Sequence, residues 1–221
     1  MEAGPRRLLV VPLGSLEQHG PHLPLDTDTR IAVAVAARAC AGRAGTGLAP
    51  AVPIGASGEH ADFAGTLSIG TVALTLLLVE LGRHASLHWP AMLLVNGHGG
   101  NAAAIADATR QLRAEGRNCH VWHAGLAGSD AHAGRMETSM MLALAPGDVR
   151  LPAAEPGETR PLAEIMPALR AGGVRAVSPN GVLGDPTGAC AQEGERLLGR
   201  LVTGLTETLD TLLTDVEGSN P

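Results

Sequence analysis

Three short apolar segments of this chain each run directly into a motif rich in histidine and acidic side chains. Apolar runs of this kind, bounded by turn-forming residues, are typical of strands buried on both faces of a parallel sheet. In such sheets, binding sites form where the carboxyl ends of neighbouring strands meet. The sequence therefore predicts an α/β fold with one polar site at one edge of its sheet. The segments and their motifs are Leu8–Pro12 before residues 17–28, Ala91–Val95 before residues 96–101, and Cys119–Ala124 before residues 130–139.

The first motif reads Glu-Gln-His-Gly-Pro-His-Leu-Pro-Leu-Asp-Thr-Asp from Glu17 to Asp28. Glu17 and His19 are separated by one residue, so on an extended segment their side chains point the same way. The Pro-containing turn that follows can bring Asp28 back toward both of them. Carboxylate and imidazole groups are ligands that Zn, Fe(II) and Mn all accept. One segment could therefore supply three metal ligands.

The second motif, residues 96–101 (Asn-Gly-His-Gly-Gly-Asn), places His98 after a buried strand and ahead of a helical stretch. The third motif places His132 shortly before Glu137, near the start of another helix. All nine histidines of the chain lie between His19 and His132, which favours a shared site over scattered structural roles. The Gly-rich part of the second motif fits neither the P-loop nor the dinucleotide fingerprint, so we expect no phosphate site there.

The rest of the chain alternates strand-like with helix-like segments, which implies a mostly parallel sheet with helices on both faces. We expect strands at Leu8–Pro12, Leu48–Pro53, Met92–Val95 and His120–Trp122, with a short strand or turn at Gly65–Ile69. We expect helices at Thr29–Ala41, Val72–His84, Asn101–Glu115, Gly134–Leu144, Pro161–Arg170 and Gln192–Val216, and a loop at Val177–Thr187. No linker interrupts this pattern, so residues 1–221 are expected to form a single domain.

The composition argues against several classes of function. The formal net charge is -6 and the chain has no Lys, so it lacks the basic patch of a nucleic-acid-binding protein. The most apolar stretch, Val72–Val79, is far too short to span a bilayer, and the N-terminus has no signal-peptide pattern. We therefore expect neither a nucleic-acid nor a membrane partner. The three cysteines lack metal-binding spacing and are expected to be reduced thiols of a cytoplasmic protein.

Taken together, the three motifs resemble those of the creatininase family of metal-dependent amidohydrolases. The resemblance is carried by residues 14–24 (Gly-Ser-Leu-Glu-Gln-His-Gly-Pro-His-Leu-Pro), Asp28, residues 96–101, residues 132–134 and residues 137–139. It implies a three-layer α/β/α sandwich and two divalent metal ions per subunit, either Zn or Fe(II), with Mn also possible. It also implies a homo-oligomer, often a hexamer.

Two further stretches resemble the branch of this family that works in the biosynthesis of mycofactocin, a redox cofactor built from a peptide. They are residues 25–32 (Leu-Asp-Thr-Asp-Thr-Arg-Ile-Ala) and residues 176–189 (Ala-Val-Ser-Pro-Asn-Gly-Val-Leu-Gly-Asp-Pro-Thr-Gly-Ala). Members of that branch hydrolyse the modified precursor peptide near its C-terminus and release its valine–decarboxylated tyrosine unit. The resemblance therefore implies a modified precursor peptide as the substrate.

One position departs from the family pattern. Creatininase itself carries a metal-ligating Glu two residues after the His of the second motif, where this chain has Gly100. Either the second metal is held more weakly, or another carboxylate takes that place, and Glu137 is the candidate. Creatinine-specific members also line their pocket with tryptophan. This chain has only Trp89 and Trp122, with Gly128 in the corresponding loop, which makes creatinine a less favoured substrate.

The resemblance and the ligand chemistry together lead to an assignment of the metal ligands. Glu17, Asp28 and His98 are expected to hold one ion. His19, Glu137 and a bridging Asp28 are expected to hold the other, because the two oxygens of a carboxylate can each bind an ion.

The same motifs also give catalytic and supporting residues. His132 is the expected general acid/base, acting together with Glu137, and its alternative role is to cap a helix or orient a ligand. The residues expected to orient ligands or to contact substrate are His22, Asp26, Glu59, His60, Asn96 and Asn101. The loop Ser178–Gly184 is a further candidate for the pocket.

Two other functions stay open at this stage. One is the hydrolysis of creatinine or another small cyclic amide. The other is a non-catalytic, metal-stabilised protein that binds peptides. The coordination of the metal distinguishes a non-catalytic protein from an enzyme. A structural metal site is closed, whereas a catalytic metal site keeps an open position for water or substrate.

Overall fold

A four-stranded parallel sheet forms the centre of the molecule. The structure is a computed structural model that describes residues 6–218. The strands lie in the order β2-β1-β3-β4, and each pairing between them is parallel. Their bounds are β1 Leu8–Leu13, β2 Thr46–Leu48, β3 Ala91–Asn96 and β4 Cys119–His123. This is the parallel sheet that the alternating pattern predicts.

Helices cover both faces of the sheet, so the fold is the predicted three-layer α/β/α sandwich. The helices are α1 Thr27–Cys40, α2 Gly70–Ala85, α3 Ala102–Ala114, α4 Arg135–Leu144, α5 Leu162–Val177 and α6 Ala191–Gly218. Alternate residues of β3 point to opposite faces. Leu93 and Val95 join a core built with α1, α4 and α6, whereas Met92 and Leu94 join a second core built with α2 and α3.

The second strand is shorter than predicted and lies earlier in the chain. The expected strand was Leu48–Pro53, whereas β2 is Thr46–Leu48. Beyond it, Ala49 and Val52 still donate hydrogen bonds of 2.9 Å to the backbone of β1. These two donors are three residues apart, whereas the donors of a regular parallel ladder are two apart, so one extra residue interrupts the ladder here.

Helix α5 runs past its predicted end. The expected helix was Pro161–Arg170, but the helical segment continues to Val177 across a kink at Gly173 (φ 69°). Such a positive φ is readily available to glycine, so the chain bends here instead of leaving the helix. The predicted loop therefore starts at Ser178. The other helices and strands begin and end within a few residues of their predicted bounds.

The sheet topology positions the functional motifs. The chain passes from β1 through α1 to β2 on one side, and β3 pairs with β1 on the other side. The strand order thus reverses between β1 and β3, and this is the place where α/β sheets form their binding crevices. The first two motifs follow these two strands directly. Among the described residues, no helix is both long and apolar enough to cross a membrane.

Candidate metal centre

The three motifs meet in one cavity at the carboxyl edge of the sheet. The cavity has a volume of about 840 Å³, and Glu17, Asp28, His98, His132 and Glu137 all line it. Its outer wall is formed partly by α5. A volume of this size lies within the range of roughly 300–1,000 Å³ found for ligand sites in proteins.

Four side chains form a buried network at the floor of this cavity. His19 Nε2 lies 3.2 Å from Asp28 Oδ1, and His98 Nδ1 lies 3.2 Å from Asp28 Oδ2. His98 Nε2 lies 3.1 Å from Glu17 Oε2. Atoms that each bind one ion at about 2.0–2.2 Å lie roughly 3–3.5 Å from one another. The separations in the network therefore match those of ligands around a metal ion.

The carboxylate of Glu17 shows most directly that the network suits a cation. Its side chain is fully buried, and although histidine nitrogens lie 3.1–3.6 Å from its oxygens, none of them is in hydrogen-bonding geometry. Burial raises the pKa of Glu17 to about 8, because the charged form is poorly solvated. A divalent cation would offset that penalty, and the oxygen and nitrogen donors around it suit Zn, Fe(II) or Mn.

The potential ligand atoms form four overlapping groups of three, and within each group all atoms lie within 4.8 Å of one another. The groups are Glu17 with His19 and Asp28, His19 with His132 and Glu137, Glu17 with His60 and His132, and Glu17 with Glu59 and His98. The first two groups share His19, which lies with Asp28 in one and with Glu137 in the other. The last group adds Glu59, which the sequence suggests only as an orienting or substrate-contacting residue.

Charges within the network set the protonation of its members. Burial alone would lower the pKa of His19, but the charge of Asp28 and its hydrogen bond raise that pKa to about 10. His98 has a pKa of about 9, because Asp28 and Glu17 outweigh its burial. Burial also works to raise the pKa of Asp28, but His19 and His98 hold it well below the usual range. Asp28 is therefore the permanent negative charge of the network.

Glu137 reaches the network from the first turn of α4. Its Oε2 accepts a hydrogen bond of 2.6 Å from the backbone N–H of Ala133, a residue with φ 52°. Burial raises the pKa of Glu137 to about 7. The carboxylate thus lies beside His19 and His132, held by the unusual backbone turn that precedes the helix.

His132 is held in one protonation state by its surroundings. Its Nε2 lies 2.8 Å from the backbone carbonyl of Gln18, which can only accept, so Nε2 carries the proton. Its Nδ1 is left with a lone pair and lies 3.6 Å from Glu17 Oε1. Burial, together with the charges of His19 and His60, holds the pKa of His132 well below its ordinary value. The ring is therefore neutral near pH 7, with an unprotonated Nδ1.

Gln18, to which the sequence analysis gives no role, makes several buried contacts beside the network. Its Nε2 lies 2.8 Å from His60 Nδ1 and donates a hydrogen bond of 3.0 Å to Gly181 O. The first of these contacts leaves the proton of His60 on Nε2, which lies 3.2 Å from Glu17 Oε1. Burial, with the charges of His98 and His19, lowers the pKa of His60 to about 3. One amide thus connects the loop after β1 to His60 and to the loop Ser178–Gly184.

The two asparagines of the second motif fix the loops around the network. Asn96 Nδ2 donates to the backbone carbonyl of His98 at 2.7 Å. Asn101 donates to Gly14 O at 3.0 Å and accepts from the backbone N–H of Ala56 at 2.9 Å. Three loops that are far apart in sequence are therefore joined by one buried amide.

The remaining predicted residues lie in different surroundings. His22 is fully buried, and its Nε2 lies 2.9 Å from Thr138 Oγ1. Asp26 forms an ion pair with Arg30 at 2.8 Å and is half-buried. The hydroxyl that does orient Asp28 belongs to Ser15, which donates a hydrogen bond of 2.7 Å to Oδ2. A serine two residues before Glu17 gives no sequence signal that would have singled it out.

Comparison with known proteins identifies the family. The creatininase family profile, described as creatinine amidohydrolase, matches residues 2–209. A mycofactocin precursor peptide peptidase of Mycobacterium ulcerans is 54% identical over 203 residues, which is 88% of this chain and 81% of that protein. Its counterpart in Mycolicibacterium smegmatis is 51% identical over 217 residues, covering 96% of this chain and 87% of that protein.

Solved structures agree with the sequence comparison. A mutant creatininase complexed with creatine superimposes with a TM-score of 0.77 at 27% identity, over 95% of this chain and 93% of that one. A creatininase in its Mn form gives a TM-score of 0.75 at 28% identity, over 92% of this chain and 90% of that one. The chain therefore belongs to the creatininase family and is a hydrolase that acts on C–N bonds.

Proposed function

We propose that this protein is a metal-dependent peptidase that cleaves the modified mycofactocin precursor peptide near its C-terminus and releases the valine–decarboxylated tyrosine unit. The observation that carries the proposal is the buried Glu17 carboxylate, without hydrogen-bond partners, at the floor of a cavity of about 840 Å³. The relatives with more than half of their residues identical bear the name of that peptidase.

Two divalent ions, Zn or Fe(II) with Mn as an alternative, would be held by the two halves of the network. Glu17, His98 and Asp28 serve one ion, and His19, Glu137 and Asp28 serve the other. Asp28 can reach both because each of its oxygens faces a different histidine at 3.2 Å. When bound, such ions polarise a carbonyl and lower the pKa of water.

His132 moves the proton during peptide cleavage. Its Nδ1 faces the cavity floor with a free lone pair, because Nε2 donates to the carbonyl of Gln18. A neutral imidazole in this position accepts the proton of the attacking water and then delivers it to the leaving nitrogen. Gln18 keeps the ring in the correct tautomer.

The walls of the cavity favour a peptide over a small flat ring. Apolar side chains of α5, Leu162, Met166 and Leu169, form one wall. Among the described residues that line the cavity, none is Phe or Trp. A flat ring such as creatinine is best held by stacking on aromatic faces, whereas apolar walls of this length suit the side chains of a peptide.

Hydrolysis of creatinine or another small cyclic amide is the second candidate function. It is favoured by the description of the family profile and by the similarity to a creatininase complexed with creatine. A non-catalytic, metal-stabilised peptide-binding role is the third. The open cavity above the network argues against this third role, because a purely structural metal site has no need of an access path.

A homo-oligomer, a hexamer or a similar assembly, is part of the proposal. Large apolar side chains are exposed on and just before α2, notably Val72 (85%), Leu76 (61%) and Leu67 (57%). This surface continues into the site, because the backbone of Leu67 donates a hydrogen bond of 2.8 Å to Leu16 O, next to Glu17. Sedimentation analysis should show an assembly that Leu76→Glu weakens; a monomeric native protein would contradict it.

We place the protein in the cytoplasm and treat residues 1–221 as one functional domain. All three cysteines are free thiols: Cys119 is buried, Cys40 is half-buried and Cys190 is exposed. An exposed free thiol is typical of a reducing compartment. A thiol count under native conditions, and again after denaturation, would test this.

The proposed reaction can be tested on the fragments that it produces. The metal-loaded protein should convert the modified precursor peptide into a shortened peptide and the small C-terminal unit, as detected by mass spectrometry. His132→Ala should bind the same amount of metal and form at least about 100-fold less product, the scale expected for loss of a general acid/base. An intact peptide after prolonged incubation with the metal-loaded native protein would refute the proposal.

A further inference from the structure

Glu59 lies at the edge of the buried network, beside His98 and Glu17. Its Oε1 is 3.5 Å from His98 Nε2, on the side of the ring that faces Glu17. Glu17 Oε2 lies 3.1 Å from the same nitrogen. One ligand atom from each of these three side chains lies within 4.8 Å of the other two, and together they form a set of two carboxylates and one imidazole.

The missing side chain at Gly100 and the carboxylate of Glu59 compete for the same space. A Cβ atom added to residue 100 would overlap both Glu59 Oε1 and His98 Nε2. The departure from the family pattern at this position therefore leaves no gap. The space is filled by a carboxylate that comes from a different loop.

The loop that carries Glu59 is built to hold its position. Glu59 is the middle residue of a 3₁₀ turn, Gly58–His60. The kink of α5 packs against the turn so closely that a Cβ on Gly173 would come within 2.8 Å of Glu59 O. On the other side, the N–H of Ala56 is bonded to Asn101. The carboxylate is thus placed by the packed backbone, while its side chain stays 34% exposed to the cavity.

The two nitrogens of the His98 ring face different carboxylates: Nδ1 faces Asp28, and Nε2 faces Glu59. With a proton on Nδ1, the ring donates to Asp28 Oδ2 at 3.2 Å, and Nε2 is left free to bind a metal ion. A carboxylate that accepts from the second nitrogen is the common way in which a metal-binding imidazole is oriented. Without a metal, Nε2 can instead donate to Ala56 O at 3.1 Å.

We infer that Glu59 is a direct metal ligand, which binds one divalent ion together with Glu17 and His98 and replaces the carboxylate that is absent at position 100. In this arrangement Asp28 is a ligand only of the other ion, together with His19 and Glu137, and it acts on the first ion by orienting the His98 ring through Nδ1. This revises the ligand set proposed above. The inference rests on the proposed metal-dependent function, and it moves the compensating carboxylate from Glu137 to Glu59.

The test compares Glu59→Gln with the native protein and with Glu164→Gln, a matched change at an exposed glutamate of α5 that does not line the cavity. Gln keeps the shape of the side chain but is a far weaker ligand. Co(II) is the probe, because its visible absorption reports the number and type of its ligands. Content is measured by elemental analysis and affinity by competition with a chelator, after circular dichroism has established that each variant is folded.

We expect Glu59→Gln to lose Co(II) affinity at one site by about 100-fold or more, since even residues beyond the direct ligands change metal affinity 10–100-fold. Its Co(II) spectrum should change, while that of Glu164→Gln should match the native one. An unchanged spectrum, with an affinity within about threefold of native, would overturn the inference. If instead the native protein itself binds no Co(II), Zn(II) or Fe(II), it is the proposed metal-dependent function that fails.

Discussion

At the scale of single residues, Asp28 is the side chain that both halves of the network share. His19 and His98 each lie 3.2 Å from one of its oxygens, and Ser15 fixes its orientation. Asp28→Ala should therefore lose both metal ions, as measured by elemental analysis, whereas His19→Ala should lose mainly one. Asp26→Asn is the matched control, because Asp26 pairs with Arg30 at the surface. Nearly full metal content in Asp28→Ala would exclude the shared role.

Glu137 offers a second test at the residue scale. Its carboxylate is buried beside His19 and accepts a hydrogen bond from Ala133 that the amide oxygen of Gln can also accept. Glu137→Gln should therefore stay folded but weaken the metal ion beside His19 and reduce turnover by at least about tenfold. Thermal unfolding, metal content and turnover are the measurements. Native metal content together with native turnover would remove Glu137 from the site.

At the scale of elements, the loop Ser178–Gly184 is locked to the loop after β1 through Gln18. Gly181 has φ 81°, and a Cβ there would overlap the amide of Gln18. Gly116 has φ 76° but open space around it, so Gly116→Ala should cost only the backbone strain, about 1–2 kcal/mol.

Gly181→Ala should lower the free energy of unfolding by about 1–3 kcal/mol more than Gly116→Ala, because it adds a steric clash to the same strain. It should also reduce turnover, because the clash displaces Gln18. The side-chain amide of Gln18 contacts His60, and its backbone carbonyl accepts the hydrogen bond that orients His132. Denaturant unfolding and steady-state kinetics of the two variants are the measurements. Equal stability and equal turnover would show that the loop is not locked in this way.

Strongly patterned elements could be predicted from sequence alone. The short apolar runs of β1 and β3, bounded by turn-forming residues, indicate buried strands. The leucine spacing of α6 indicates a helix, because it places the leucines on one face. The kink of α5 could not be predicted, because a Gly-Gly pair is equally compatible with a helix end. The early stop of β2 depends on which of its residues donate to β1, and the change of spacing between Ala49 and Val52 is a tertiary property.

At the scale of the whole molecule, the site is only partly encoded in local motifs. The proposed ligands of the first motif, Glu17, His19 and Asp28, could be grouped in advance because they are close in sequence, and their ligand atoms lie within 4.8 Å of one another. The contacts of Gln18 with Gly181 and of Glu59 with His98 join distant segments, and they appear only when the chain has folded. A single sequence indicates which chemistry is available but not which atoms meet.

Metal binding should be coupled to proton release by the whole site. In the metal-free protein the pKa values of Glu17, His98 and His19 are raised to about 8, 9 and 10, so these groups carry protons at pH 7. Metal ligands must be deprotonated, so binding releases protons and affinity should increase as the pH rises from 6 to 8. Asp28 contributes none, since its pKa is already low.

Calorimetric titration of Zn(II) in two buffers with different ionisation enthalpies measures this release. The apparent binding enthalpy should differ between the buffers in the direction of proton uptake by the buffer. Identical enthalpies in both buffers would contradict the protonation states described for the metal-free network.

The central claim is that the cavity serves a peptide and that its chemistry needs the metal. The most direct test is the steady-state turnover of the modified precursor peptide and of creatinine by the same metal-loaded preparation. We expect peptide cleavage that disappears on chelation and returns with added Fe(II) or Zn(II), together with little or no creatinine turnover. A kcat/KM for creatinine equal to or above that for the peptide, or peptide cleavage that survives complete removal of metal, would contradict the account.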